Sequence, residues 1–174
     1  AVWPLSEERL AEFAATEGWT PEPQLETRAV IYNCGHDLLS DILLRRALSL
    51  TVDRAALTER AGGVALPAEG LVPPGVPENE EGDFRTLGGS LLDNDTEGFP
   101  DRCAQARELL NEAGYSNGGE LGELEYLYVE DGSSGRIARA LCETWQEQLG
   151  VTVLPKAVTS RDFQTALHTG EYAL

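Results

Sequence analysis

Two short apolar runs, Leu124–Val129 and Val151–Leu154, bracket one amphipathic stretch from Gly135 to Leu149. Within that stretch Ile137, Ala138, Leu141, Trp145 and Leu149 recur with the period of a single buried helix face. Strand, crossover helix and strand at this spacing make a βαβ unit, whose two strands pair in parallel and whose crossover is right-handed. A chain built around such a unit belongs to the α/β class.

The other segments fit that class. Ser6 caps a helix expected to run to about Glu17, and the prolines of Trp19–Pro23 turn it into an extended connector. Thr27–Asn33, rich in β-branched and apolar residues, reads as a strand. From Asp41, the positions Leu44, Ala47, Leu48, Thr51, Val52 and Ala55 trace one helical stripe that fades near Arg60 and ends at Gly62-Gly63. Asp101 caps a further helix that buries Cys103, Ala106, Leu110 and Ala113 and stops at Gly114. Thr159 or Ser160 caps a last helix with Phe163 and Leu167 inside, and Tyr172 begins another strand. Between Val64 and Pro100 the pattern breaks down into five prolines and an acidic cluster at Glu78, Glu80, Glu81 and Asp83. A loop of that length tends to be functional or mobile. The domain division expected is a helix and connector over 1–26 and an α/β lobe over 27–174.

Charge and chemistry narrow the function by exclusion. Thirteen Lys and Arg against thirty Asp and Glu give a net charge of −17. Nucleic-acid partners and anionic membranes need clustered cations, so neither is expected. Only His36 and His168 are present, without HExxH or paired cysteines, so a zinc site lacks its ligands and no metal is expected. Asp93–Gly98 has the first half of a calcium loop, but Ala104 stands where the closing Glu belongs, so the segment reads as a solvated acidic loop. The glycine pairs at 62, 88 and 118 do not open helices as phosphate cradles do and read as turns. No GxSxG elbow accompanies the histidines, so no enzyme and no cofactor is expected. Cys34, Cys103 and Cys142, an odd set, read as free thiols, with one disulfide plus a leftover thiol as the alternative. The sequence begins at Ala1 without Met and stops where an apolar strand is starting, and is expected to be a piece of something longer.

The helix from Asp41 to Arg54 reads DILLRRALSLTVDR, which resembles the DVRVRQALSxAIDR signature of the family 5 bacterial extracellular solute-binding proteins. Ile31-Tyr32-Asn33 stands where that family has a strand ending in an aromatic and Asn. Pro67-Ala68 and Val72–Gly75 resemble its "PA…vPPG" loop, Ala106–Tyr115 its "AkkLLaeAGY", Trp145–Val153 its "W.k.LGI.V", and Phe163–Leu174 its "f...l..geyDl". Leu43, Thr51 and Ala173 depart from the pattern, which has Arg, Ala and Asp there.

The resemblance implies a type II periplasmic-binding-protein-like lobe: a mixed sheet with flanking helices, here a partial domain. Two lobes would close on a ligand, with this segment forming much of the early part of the second, so the segment alone is expected to bind weakly. It also implies an importer component outside the cytoplasm, held to the cell membrane by a lipid-modified N-terminus outside this segment. Such a protein is monomeric and hands its solute to the permease of an ABC transporter. Peptide is the expected ligand class; nickel chelate, a sugar or a sensor role on the same fold are the alternatives. By the same resemblance, the loop before the Trp145 helix (Gly132, Ser133, Ser134) and the start of the last helix (Ser160) lie near the cleft, with Asn33 and Leu167 as further ligand-facing candidates. Small polar groups of this kind suit a roomy, water-bridged peptide site. Within the signature, Arg45, Asp53 and Arg54 are expected to form ion pairs that hold the helix against its neighbouring loop.

Overall fold

A computed structural model describes residues 24–61, 65–79, 82–116, 118–131 and 133–174, together with 12, 13, 16 and 18. The helix expected from Ser6 lies largely outside the described residues, as does Gly132. Among the elements described in full, helices α1 (Ile42–Leu50) and α2 (Arg54–Arg60) come first. A small antiparallel pair, β1 (Pro77–Asn79) and β2 (Gly82–Asp83), leads into the short α3 (Phe84–Gly88). Then follow α4 (Phe99–Glu112), a 3-10 turn at Gly118–Leu121, β3 (Glu123–Val129), α5 (Ser134–Leu149), β4 (Thr152–Val158) and α6 (Ser160–Thr169).

The expected βαβ unit is present: β3 and β4 pair in parallel, in register from Glu123↔Thr152 to Val129↔Val158. α5 crosses over between them and ends on Gly150, whose φ of 69° gives the left-handed cap that closes the helix. β4 is longer than its apolar run, reaching Val158 through Pro155. A proline is tolerated there because β4 is an outer strand among the described residues. On the opposite side of β3, the Leu174 N–H donates to the Glu125 carbonyl (3.2 Å), and the Leu127 N–H donates to the Leu174 carbonyl (2.9 Å). These two bonds are the pattern of a parallel ladder opposite Tyr126, as the strand expected from Tyr172 requires. Beyond it, the Asn33 N–H donates to the Ala173 carbonyl (3.0 Å). Thr27–Asn33 is extended rather than a laddered strand.

The signature stretch forms two helices, not one. The Trp145 indole N–H donates to the Leu48 carbonyl (2.9 Å), and the Thr51 hydroxyl donates to the carbonyls of Leu48 (3.1 Å) and Ala47 (3.2 Å). With Leu48 so engaged, the first helix closes at Leu50, and the Asp53 carboxylate accepts the Ala56 N–H (3.0 Å) to cap the second. Asp53 is thus an N-cap instead of an ion-pair partner. Arg45 donates to the carbonyls of Leu39 (2.7 Å) and Ser40 (2.9 Å), and Arg54 to that of Val52 (3.4 Å). The packing role expected of these residues holds, with backbone oxygens as partners in place of carboxylates. The fourth helix also differs from expectation: it starts at Phe99 from Gly98, with Asp101 inside its first turn.

The core gathers Leu39, Leu44, Ala47 and Leu48 from the first helix region, Ala106 and Leu110 from α4, Leu124 from β3 and Leu141, Trp145 and Leu149 from α5. Trp145 is wholly buried and meets Tyr126 edge to face at 6.3 Å. Cys103 and Cys142 are buried and Cys34 is exposed, and all three thiols are free. Gly118 lets the 3-10 turn press against the end of α5: a Cβ there would lie 2.5 Å from the Leu149 carbonyl oxygen.

Candidate functional site

In open α/β sheets, ligands bind where parallel strands end and the following helices begin. Here β3 ends at Val129 and β4 at Val158, and the turn and helix starts that follow carry Ser133, Ser134 and Ser160. Between them lies an open concavity of about 520 Å³ lined by Val129, Glu130, Ala157, Val158, Thr159, Ser160 and Asp162. Of the candidates, Ser160 lines it.

The rim is built by two differently capped helix starts. At α6, Thr159 accepts the Asp162 N–H on its hydroxyl oxygen (3.1 Å), and its hydroxyl donates to the Asp162 carboxylate (2.8 Å). This reciprocal pairing leaves Ser160 exposed as the first helical residue. At α5 the cap is the carboxylate of Asp131, which accepts the N–H groups of Ser134 (2.9 Å) and Ser133 (3.3 Å). Burial pushes the Asp131 carboxyl up. Hydrogen bonds from the Ser134 hydroxyl and backbone, the Arg28 charge and the Ser133 N–H outweigh it and hold the group below the ordinary carboxylate range. Next to it, burial and a hydrogen bond with Glu130 push the Tyr128 phenol up.

Ser133 is half-buried, and its hydroxyl oxygen accepts a hydrogen bond from Arg28 Nη1 at 2.6 Å. Arg28 also lies 3.8 Å from the Asp131 carboxylate and 3.7 Å from that of Glu26. Sequence reading did not single out Arg28. It stands 105 residues from Ser133, and no local pattern joins them.

Asn33 is engaged within the lobe. Its side-chain amide donates to the carbonyls of Gly170 (2.9 Å) and Tyr172 (2.7 Å), and its amide oxygen accepts the Gly35 N–H (3.0 Å). Leu167 is half-buried on α6, a helix packed against β3. The structure therefore gathers Ser133, Ser134 and Ser160 at one edge, with Asn33 tying the end of α6 to its own extended segment.

Elsewhere the chemistry is structural. The DNDTEG loop folds on itself: Asp95 accepts the N–H groups of Glu97 (3.1 Å) and Gly98 (2.9 Å), and Asp93 pairs with Arg102 at 3.2 Å. Among the described residues, no group of three or more His, Cys, Asp or Glu is placed to hold a metal ion.

A partial α/β lobe, with helix starts collected at the carboxyl edge of a parallel strand pair, is the frame of a periplasmic-type binding protein. The sequence model for bacterial extracellular solute-binding proteins, family 5, matches residues 2–174, and the chain belongs to that family. It is 28% identical over 152 residues to the probable deoxycholate-binding periplasmic protein YgiS of Escherichia coli, covering 87% of this chain and 27% of that protein. It is 28% identical over 140 residues to the oligopeptide-binding protein OppA of Bacillus subtilis, covering 78% and 24%. NikA from Brucella suis, solved in complex with Fe(III)-EDTA, superposes with a TM-score of 0.75 at 21% identity, over 98% of this chain and 34% of that one. The chain thus spans about a quarter of the length of the curated relatives it matches.

Proposed function

We propose that the protein is the solute-capturing component of an ABC importer and that its solutes are peptides. The observation that carries this is the edge just described: serine hydroxyls at two helix starts, at the carboxyl ends of parallel strands, beside an open concavity. Uncharged groups of that size exchange hydrogen bonds with amide and carbonyl groups directly or through water, without selecting one side chain. Similarity to an oligopeptide-binding relative supports the same ligand class.

In this reading residues 27–174 contribute one lobe, 1–26 lead into it, and a second lobe closes over the ligand. Ser133, Ser134 and Ser160 face the ligand, with Asn33 and Leu167 supporting the wall behind them. Closure is driven by contacts that exist only when both lobes hold the solute, and the closed form is what the membrane permease recognises. The protein acts outside the cytoplasm as a monomer anchored by a lipid, and binds without catalysing a reaction.

Native mass spectrometry of the full-length protein, purified without refolding, tests this. Release of a set of short peptides is the expected result. A bile acid, a metal chelate or a sugar in their place would remove the peptide assignment.

A further inference from the structure

We infer that Arg28 sets the hydrogen-bonding sense of Ser133, so that this serine meets its ligand as a donor to a neutral carbonyl oxygen. This rests on the reading of Ser133 as ligand-facing.

A serine hydroxyl has one hydrogen to give and lone pairs to receive, whereas a guanidinium can only give. Across the 2.6 Å contact, Arg28 Nη1 is therefore the donor and Ser133 Oγ the acceptor. The Ser133 hydrogen must point away from Arg28. The neighbouring acceptor, Asp131, already receives the Ser133 and Ser134 N–H groups and the Ser134 hydroxyl, which leaves the Ser133 hydroxyl as the donor available to a ligand. A lone serine could rotate to serve either a carbonyl or an amide N–H. Donation from Arg28 occupies one of the two lone pairs and turns the hydrogen to the far side, which favours donation to a carbonyl over acceptance from an N–H.

The surrounding charge decides which acceptor fits. Asp131 and Glu26 flank Arg28, and Glu130 lines the adjoining concavity. A ligand carboxylate placed at Ser133 would meet this group of carboxylates. A main-chain carbonyl, uncharged, meets no such penalty. Arg28 is thus a positioning residue: it acts through Ser133 and through the turn at Asp131.

Two measurements on the full-length protein test this. First, without any ligand, Arg28→Ala should speed amide hydrogen exchange at Ser133 and Ser134 by several-fold and leave the core amides of α5 unchanged. Unchanged exchange at the two serines overturns the positioning role. Second, a pool of short random-sequence peptides is titrated against wild type, Arg28→Ala, Ser133→Ala and the double variant. Each single variant should weaken binding about fivefold, as expected for one neutral hydrogen bond, and the double variant should be no weaker than Ser133→Ala. Additive losses, or no loss in Arg28→Ala, overturn the coupling. Wild type that binds no peptide removes the peptide reading and the carbonyl assignment with it, while the exchange result still decides separately whether Arg28 orders the turn.

Discussion

Between Glu123 and Thr169, parallel strands and two amphipathic helices share an apolar interior, and the burial of Leu124, Leu141, Trp145, Leu149 and Val153 holds them. Between Ala65 and Gly98 the chain buries little apolar surface: Leu66, Leu71 and Leu91 are each at least 70% exposed. Among the described residues there, the buried side chain is that of Arg85, which donates to the carbonyls of Val72 (3.2 Å) and Gly89. The loop leaves room for it at Gly70, where a Cβ would lie 2.8 Å from the guanidinium. Arg102 does similar work at the loop's end, donating to the Asp95 carbonyl (2.7 Å) and pairing with Asp93. One region is stabilised by many interchangeable contacts, the other by a few long side chains that satisfy loop carbonyls. Damage should therefore spread through the first and stay local in the second.

The sharpest test is Trp145→Ala. It removes a fully buried ring and leaves the Leu48 carbonyl without its indole donor. A loss of about 3–5 kcal/mol is expected, read as a lowered denaturation midpoint with exchange accelerated across both α1 and α5. Acceleration confined to α5 would show that the two helices are not coupled through this ring.

Alkaline pH probes the same interior. Burial pushes the Tyr126 phenol up to about 12, and likewise the Cys142 thiol to about 12. Both groups are neutral in the fold and ionise more readily once unfolded. Their contribution is complete below the unfolded values, near 9–10, and is lost as pH climbs from there towards 12. Stability should fall by on the order of 2 kcal/mol across that window, with less of a fall in Tyr126→Phe. An equal fall in that variant would assign the effect to the other groups whose ionisation burial opposes, Cys142, Cys103 and Tyr32.

Arg85→Ala tests the loop. Two carbonyls lose their donor, at a cost of about 1–2 kcal/mol confined to residues 70–89. Amide exchange should rise there while the midpoint set by the Trp145 core hardly moves. A fall as large as that of Trp145→Ala would erase the distinction between the regions.

The contrast also explains what was legible in the sequence. The βαβ unit could be read because each residue's periodicity reports its burial: Leu141, Trp145 and Leu149 repeat whatever they pack against. The break between α1 and α2 could not, because the residue that helps cause it, Trp145, lies 97 positions from Leu48. Thr51 and Asp53 did carry local signals for a helix end and a cap, but the apolar stripe running through them masked both. The site divides the same way. Ser133, Ser134 and Ser160 were candidates through the family resemblance, which puts the loop before the Trp145 helix and the start of the last helix near the cleft. Arg28 was not, since a contact across 105 residues leaves no trace in local spacing.

The smallest effect expected lies on the strand pair itself. Lys156 on β4 reaches the Glu125 carboxylate on β3 at 3.0 Å, with both side chains more than half exposed. Water and salt screen such a pair, and holding two long side chains in place costs conformational entropy, so it contributes about 0–0.5 kcal/mol. The parallel ladder and the apolar face behind it already fix the register from Glu123↔Thr152 to Val129↔Val158. Lys156→Ala should therefore shift the denaturation midpoint only slightly at low salt and not measurably at high salt. A large, salt-independent loss would mean that the register depends on this charge pair, and that even the periodic half of the molecule relies on a single polar contact of the kind that holds the loop.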